Sequence, residues 1–287
     1  IANGTGVASN YSLTSATLDI TRRPISLSGT RVYDATTTAS SSDLTTLSNL
    51  VGSETLALSN SGTIANANVG TDKTITIGSL SLGNGSNGGL GSNYTLSGGT
   101  HTLSVTKRPI TISGTKVYDG NATVSNSGIN TFNNRAGSET LSLTGSGSMG
   151  SAAVGTGKVI TLGTLALADN SGLASNYSLS SGTFDVTVKN VTFVGSRVYD
   201  GTTTVDSSNI SSTFTGLAGS ETLTLSGSGS VASKNVASGQ SVTLGSIAIA
   251  NGTGVASNYS LTSATLDITR RPISLSGTRV YDATTTA

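Results

Sequence analysis

The sequence contains no cysteine and no tryptophan, a single histidine, and only three prolines in 287 residues. Without cysteine there can be no disulfide and no thiolate metal site. The lone His101 cannot supply a two-histidine metal site, so no metal and no cofactor is expected. Charged residues make up 10% of the chain, against roughly 25% in ordinary globular domains. The formal net charge of +1 gives no long-range field to gather nucleic acid or an anionic membrane. No apolar run approaches the roughly 18 residues of a membrane span, so this segment is not expected to insert into one. Residue 1 is Ile with no charged-then-apolar leader after it, and the chain reads as an internal piece of something longer.

Serine, threonine, glycine and asparagine fill the space left by the missing charge. Hydrophobic residues reach 34% and aromatics 4%, which favours several small domains with thin cores over one large one. The organisation is repetitive. Val-Tyr-Asp recurs at Tyr33, Tyr118, Tyr199 and Tyr281, in steps of 85, 81 and 82 residues. Ser-Asn-Tyr recurs at Tyr11, Tyr94, Tyr177 and Tyr259, and the two motifs together use all eight tyrosines. Gly-Ser-Glu-Thr carries Glu54, Glu139 and Glu221. Residues 1–39 and 249–287 are identical. These anchors define repeats at 24–108, 109–189 and 190–271. Residues 1–23 form the tail of a preceding repeat, and 272–287 the head of a following one.

Within a repeat the apolar period is two, the pattern of half-buried strands. Leu and small polar residues alternate in "ETLALS", "ETLSLT" and "ETLTLS". The parity of the alternation slips at Gly78, Gly163 and Gly245, as a β-bulge would require. Glycine and β-branched content opposes helix. Repeats join with almost no linker, through Pro24, Pro109 and Pro272. Proline holds the preceding residue extended and should stiffen the junction. Asn190 replaces proline at the third junction, where more bending is expected.

The expected fold is all-β: tandem small antiparallel β-sandwiches, immunoglobulin-like, of about 82 residues, set end to end as a rod. A β-solenoid is the alternative. The two differ in length. Sandwiches one strand long would put Tyr33 and Tyr281 on the order of 100–120 Å apart, whereas solenoid coils would advance only about 40–60 Å.

Candidate chemistry is sparse. His101 aligns with Ala16 and Gly182, so no shared design includes it. The glutamates come once per repeat at a turn, while a glycosidase needs two facing carboxylates; a turn or junction role is expected. Asp34, Asp119, Asp200 and Asp282 read as caps of their own turns. "GSGSMG" at 145–150 and "GTGKV" at 155–159 lack the helix and the Ser or Thr that a nucleotide site requires. Lys73 and Lys158 give way to Gln240 in the third repeat, which argues against a Lys–Asn crosslink common to all. Asn10, Asn93, Asn176 and Asn258 open glycosylation sequons of the kind chance produces in such a composition.

The ordered set of Val-Tyr-Asp-Gly-x-Thr-Thr, Gly-Ser-Glu-Thr-Leu, Val-Gly-Thr-Gly-Lys and Ser-Asn-Tyr, with the Lys/Arg-Pro strand that opens each repeat, resembles the YDG-type repeat. That repeat is a relative of the mostly-β glycine-rich repeats of filamentous-haemagglutinin-like bacterial adhesins. Asp34-Ala35 and Asp282-Ala283 depart from it, and a positive-φ turn residue is less expected there. The resemblance implies a structural stalk at the bacterial surface or in an extracellular biofilm matrix, exported by two-partner secretion or as an autotransporter. A chain that must cross the outer membrane before folding does well without cysteine. No enzymatic role is expected. Other copies of the array are possible partners. A carbohydrate-binding module, with Tyr33, Tyr118 and Tyr199 as stacking platforms, is the rival reading.

Overall fold

The computed structural model describes residues 1–284. It is all-β, with strands and seven short 3-10 turns and no α-helix among those residues. Contacts divide the chain into two compact units. One comprises 1–110, 134–142 and 167–179; the other comprises 111–133, 143–166 and residues from 180 onward. The compact unit is therefore out of phase with the sequence repeat. The first unit pairs the complete first repeat with the Gly-Ser-Glu and Ser-Asn-Tyr segments of the second.

In the first unit, the first repeat forms β1 (Arg23–Pro24), β2 (Ser26–Val32), β3 (Thr38–Ser40), β4 (Thr46–Ser48) and β5 (Leu56–Ser59). It continues through β6 (Ser61–Ile64), β7 (Gly70–Thr76), β8 (Ser81–Asn84), β9 (Tyr94–Thr95) and β10 (His101–Thr106). Six strands make one sheet in the order β3-β6-β7-β10-β2-β4, and β5 pairs with β8 in a separate ribbon. Most ladders are antiparallel, as the alternation implies. β10 and β2, however, pair in parallel, Leu27 opposite His101 and Val32 opposite Thr106. The strand entering the repeat and the strand leaving it thus run the same way, and the chain exits at the end opposite its entry. That is what lets one repeat follow another.

The alternating side chains meet in a thin core. Ile25, Leu27, Ala39, Leu44, Ile64, Ile75, Leu103 and Val105 are buried in the first repeat. In the second unit the third repeat has the same six-strand order, closed over Phe193, Val205, Val231, Val242, Leu266 and Ile268. Its entering and leaving strands, Lys189–Val198 and Tyr259–Thr269, pair in parallel over their whole length.

The parity slips have a different cause from a bulge within one strand. Gly78, Gly163 and Gly245 sit at φ +57°, +56° and +55° in tight turns after β7 and its equivalents. The turn closes with Leu80 N–H donating to Ile77 O and carries the chain from the sheet to the ribbon. Leu80, Leu165 and Ile247 then point back into the core. A reversal of parity is what a strand changing sheets requires. The pairing irregularity lies earlier, opposite Leu103–Val105 and at Gly155–Lys158 and Ala237–Gln240. There Asp72, Gly157 and Gly239 have positive φ. Their N–H groups donate to Ser104 Oγ, Asp185 Oδ1 and Asp267 Oδ1 on the neighbouring strand.

Ala35 and Ala283 adopt φ +65° and +59°, against +81° at Gly120 and Gly201. The turn keeps its left-handed geometry even without glycine, contrary to the expectation from sequence. Asp34 Oδ1 accepts the Thr36 N–H, and this side-chain cap holds the backbone there. At the third junction Asn190 stands where the others carry proline. It lies inside a ladder, paired with Ser260, as Pro109 lies inside the strand Arg108–Val117.

His101 closes a local loop. Tyr94–Thr106 is two residues longer than Tyr177–Thr187. The extra length leaves the ladder at 96–100, and the buried His101 Nε2 lies 2.8 Å from Leu96 O.

Candidate functional site

The recurrent motifs converge at the junctions between repeats. In the first unit, the basic residue before Val-Tyr-Asp shapes the loop that presents the tyrosine. Arg31 is buried; its guanidinium reaches the carbonyls of Thr36 and Thr38 and pairs with Asp34 at 3.3 Å. In the second unit Lys116 does the same work with Asp119 at 2.9 Å, and Arg197 with Asp200 at 3.1 Å. The backbone N–H of Thr202 holds the Asp200 carboxyl below its usual range, so the aspartate stays ionised and the loop stays capped.

The tyrosine so presented leaves its own repeat. Tyr33 Oη donates to Glu139 Oε1 at 2.6 Å. The other oxygen of that carboxylate accepts from Tyr177, whose own oxygen accepts the Ala136 N–H at 3.2 Å. Tyr33 and Tyr177 meet edge to face, ring centroids 5.4 Å apart. They are 3% and 2% exposed. Arg108 closes the far side, donating to Tyr33 O at 3.2 Å and to the carbonyl and side chain of Asn134. One carboxylate thus fastens a tyrosine of each repeat. The second unit repeats the arrangement: Glu221 accepts from Tyr118 at 2.7 Å and from Tyr259 at 2.6 Å, with the rings again 5.4 Å apart.

A second clasp lies beside the first. Asn176 is 1% exposed; its Oδ1 accepts the Val69 N–H of the preceding repeat at 2.9 Å, and its amide donates to Asn68 at 3.0 Å. Asn258 takes the Val154 N–H in the same way at 2.9 Å. Lys73 braces the loop that offers Val69, donating to Asn66 O and Asn68 O. In the third repeat Gln240 donates to Asn235 O at 3.0 Å. A neutral amide suffices for that bracing role, which explains the Lys-to-Gln exchange.

The eight tyrosines differ in burial. Tyr33, Tyr94, Tyr118, Tyr177 and Tyr259 are buried, Tyr199 is half-buried, and Tyr11 and Tyr281 in the flanking fragments are exposed. Tyr33 and Tyr118 fill the contact between repeats and not the core of their own. Glu139 and Glu221 act as acceptors at the junctions, and Glu54 accepts from Tyr94 of its own repeat. Two contributors escaped the sequence reading. The asparagines of Ser-Asn-Tyr looked like sequons, and burial of Asn176 and Asn258 removes both from that role. Arg108 reads in the sequence only as the basic residue of the Lys/Arg-Pro strand that opens a repeat. The available signal was the recurrence of Asn-Tyr together with Glu in every repeat, which a local turn alone would not demand.

The YDG domain matches residues 20–103, 102–184 and 185–266. The chain belongs to that family. Comparison with curated proteins finds no match, and comparison with solved structures finds none. In the YDG motif itself the tyrosine is the inserted group, the aspartate braces its loop, and the glycine or Ala35 supplies the left-handed turn. Among the described residues no group of three or more His, Asp or Glu side chains could hold a metal ion, and no helix is long and apolar enough to cross a membrane.

The junction has a pH signature. Burial, then the bond to Glu139, pushes Tyr33 up to about 12; burial, then Glu221, pushes Tyr259 up to about 12. Tyr118 and Tyr177 rise for the same reasons, and Tyr94 rises first through its bond to Glu54. These groups favour the neutral hydroxyl in the folded state. Their stabilisation is fully present below the ordinary value near 10 and is lost as pH climbs toward 12. Stability measured by denaturant should hold up to about pH 10 and then fall steeply, together with late tyrosinate absorbance. A midpoint unchanged to pH 12 would contradict the junction chemistry.

Proposed function

We propose that this chain is a stalk segment of a long repetitive bacterial surface or matrix protein, exported in unfolded form and providing reach and stiffness. The carrying observation is that Tyr33 and Tyr118 are spent on joining repeats: each is buried against the next repeat's Glu and Tyr. Parallel pairing of the entering and leaving strands supports the reading, because it directs each repeat onward from the last. We assign no catalytic role.

The carbohydrate-binding alternative needs exposed aromatic faces. Tyr33 and Tyr118 offer none, and Tyr199 is half-buried. A glycan array probed with the purified chain separates the two. The stalk reading expects no binding. Retained glycans whose binding Tyr199→Ala abolishes would replace it with a lectin.

A further inference from the structure

His101 sits where the sister repeats carry almost no side chain. The core-facing position at the start of β10 is Gly182 in the second repeat and Ala264 in the third, and all three are buried. A methyl group on Gly182 would come within 2.5 Å of Ile112 and 2.9 Å of Ile160, so that site has no room for an imidazole. In the first repeat the two extra residues form the loop 96–100, where Gly98 turns at φ +84°. The ring, 6% exposed, faces this loop through Nε2, 2.8 Å from Leu96 O.

Ring and loop hold each other. Leu96 O also accepts the Gly99 N–H at 3.3 Å, and Thr100 O accepts the Leu27 N–H at 3.2 Å. Thr100 N–H donates to Ser26 Oγ at 3.0 Å. The loop thereby ties the start of β10 to β2, the strand with which β10 pairs in parallel. A carbonyl oxygen can only accept, so Nε2 carries the hydrogen and Nδ1 is the bare nitrogen of a neutral ring. Nδ1 is enclosed, with no hydrogen-bond partner among the described residues. A proton there puts a charge and a donor where nothing accepts either, which is a costly kind of burial.

The charged groups on the surrounding elements are engaged elsewhere or carry the wrong sign. Arg23 holds Asn49, Arg31 the carbonyls of Thr36 and Thr38, and Lys73 those of Asn66 and Asn68. Arg22, near Leu96 and Ser97, is a further cation. Asp72 lies beside Ser104, three residues along β10. Tyr94, at the head of the loop, is bound to Glu54.

We propose that His101 is an acid-sensitive latch on the first repeat: the neutral ring keeps the loop 96–100 closed, and protonation releases the loop and loosens the start of β10 from β2. The chain has one histidine, so the second and third repeats have no such latch. The opened loop exposes both ring nitrogens to water and binds the proton, whereas the closed loop excludes it. Closure is therefore fully present above the ordinary histidine range and is lost as pH falls through that range.

Amide hydrogen exchange on the intact chain, corrected for its intrinsic pH dependence, tests the latch. Between about pH 7.5 and about pH 5, protection of the Leu27 and Gly99 N–H groups should fall about tenfold or more. Tyr199 N–H, bonded to Thr269 O in the third repeat, should keep its protection. His101→Gln retains a donor for Leu96 O and has no proton to gain, so its protection should stay level over the same range. The single histidine also makes the ring signals unambiguous in NMR, a readout that needs no variant. The ring should become charged only together with the loss of protection at Leu27 and Gly99. Unchanged protection at the lower pH, an equal fall in His101→Gln, or a charged ring beneath a protected loop would overturn the proposal.

Discussion

Glu139→Ala should lower the stability of the first unit by about 3–4 kcal/mol, because one substitution strands two buried phenol donors. Tyr33 and Tyr177 both donate to this carboxylate, and a buried polar group left unsatisfied costs about 1–3 kcal/mol. Bonds to a charged acceptor lie toward the upper end of the net range. Glu221→Ala should behave alike in the second unit. Glu54→Ala should cost about 1 kcal/mol, since among the described residues one tyrosine, Tyr94, donates to it and Glu54 is itself only half-buried. Chemical denaturation reads all three. Equal effects for Glu54 and Glu139 would mean that the cross-repeat bond contributes nothing.

Phe184→Ala should cost about 3–5 kcal/mol, the range for deleting a fully buried phenylalanine ring. Phe184 is 1% exposed, and its ring lies over two glycines. A methyl group on Gly114 would come within 2.8 Å of it, and one on Gly128 within 2.9 Å. The backbone approaches so closely that no neighbouring side chain can swing in to fill the void, which keeps the cost high. The equivalent residues are Leu103 and Leu266, both 0% exposed. Phe184→Leu should therefore be tolerated at roughly 1 kcal/mol. If alanine proved as mild as leucine, the second repeat would have to collapse around the site.

The fold was largely readable because alternation and repetition are local properties. Leu27, Ile75 and Leu103 declare an inward face wherever they fall. The parallel pairing of β2 with β10 was not readable, since nothing in either strand records its partner's direction across some 70 residues. Gly78 shows the limit of parity as a signal: a bulge and a change of sheet produce the same slip in sequence. The tyrosines were visible as anchors, but their site was not. A short motif shows that Tyr33 is constrained. It cannot show that the constraint is a carboxylate 106 residues away. Asn176 was harder still, because a buried clasp and a chance sequon are spelled alike. Ala35 failed the other way: glycine is the ordinary mark of positive φ, and Asp34 holds that geometry without it.

The central claim is that a shared glutamate locks each repeat to the next. The chain has no cysteine, so spin labels can be placed cleanly at Thr46→Cys in the first repeat and Asn170→Cys in the second, both exposed positions within the first unit. Pulsed dipolar spectroscopy should then give one narrow distance distribution, and adding Glu139→Ala should broaden it. A distribution already broad in the parent, or one that stays narrow without Glu139, would contradict the account.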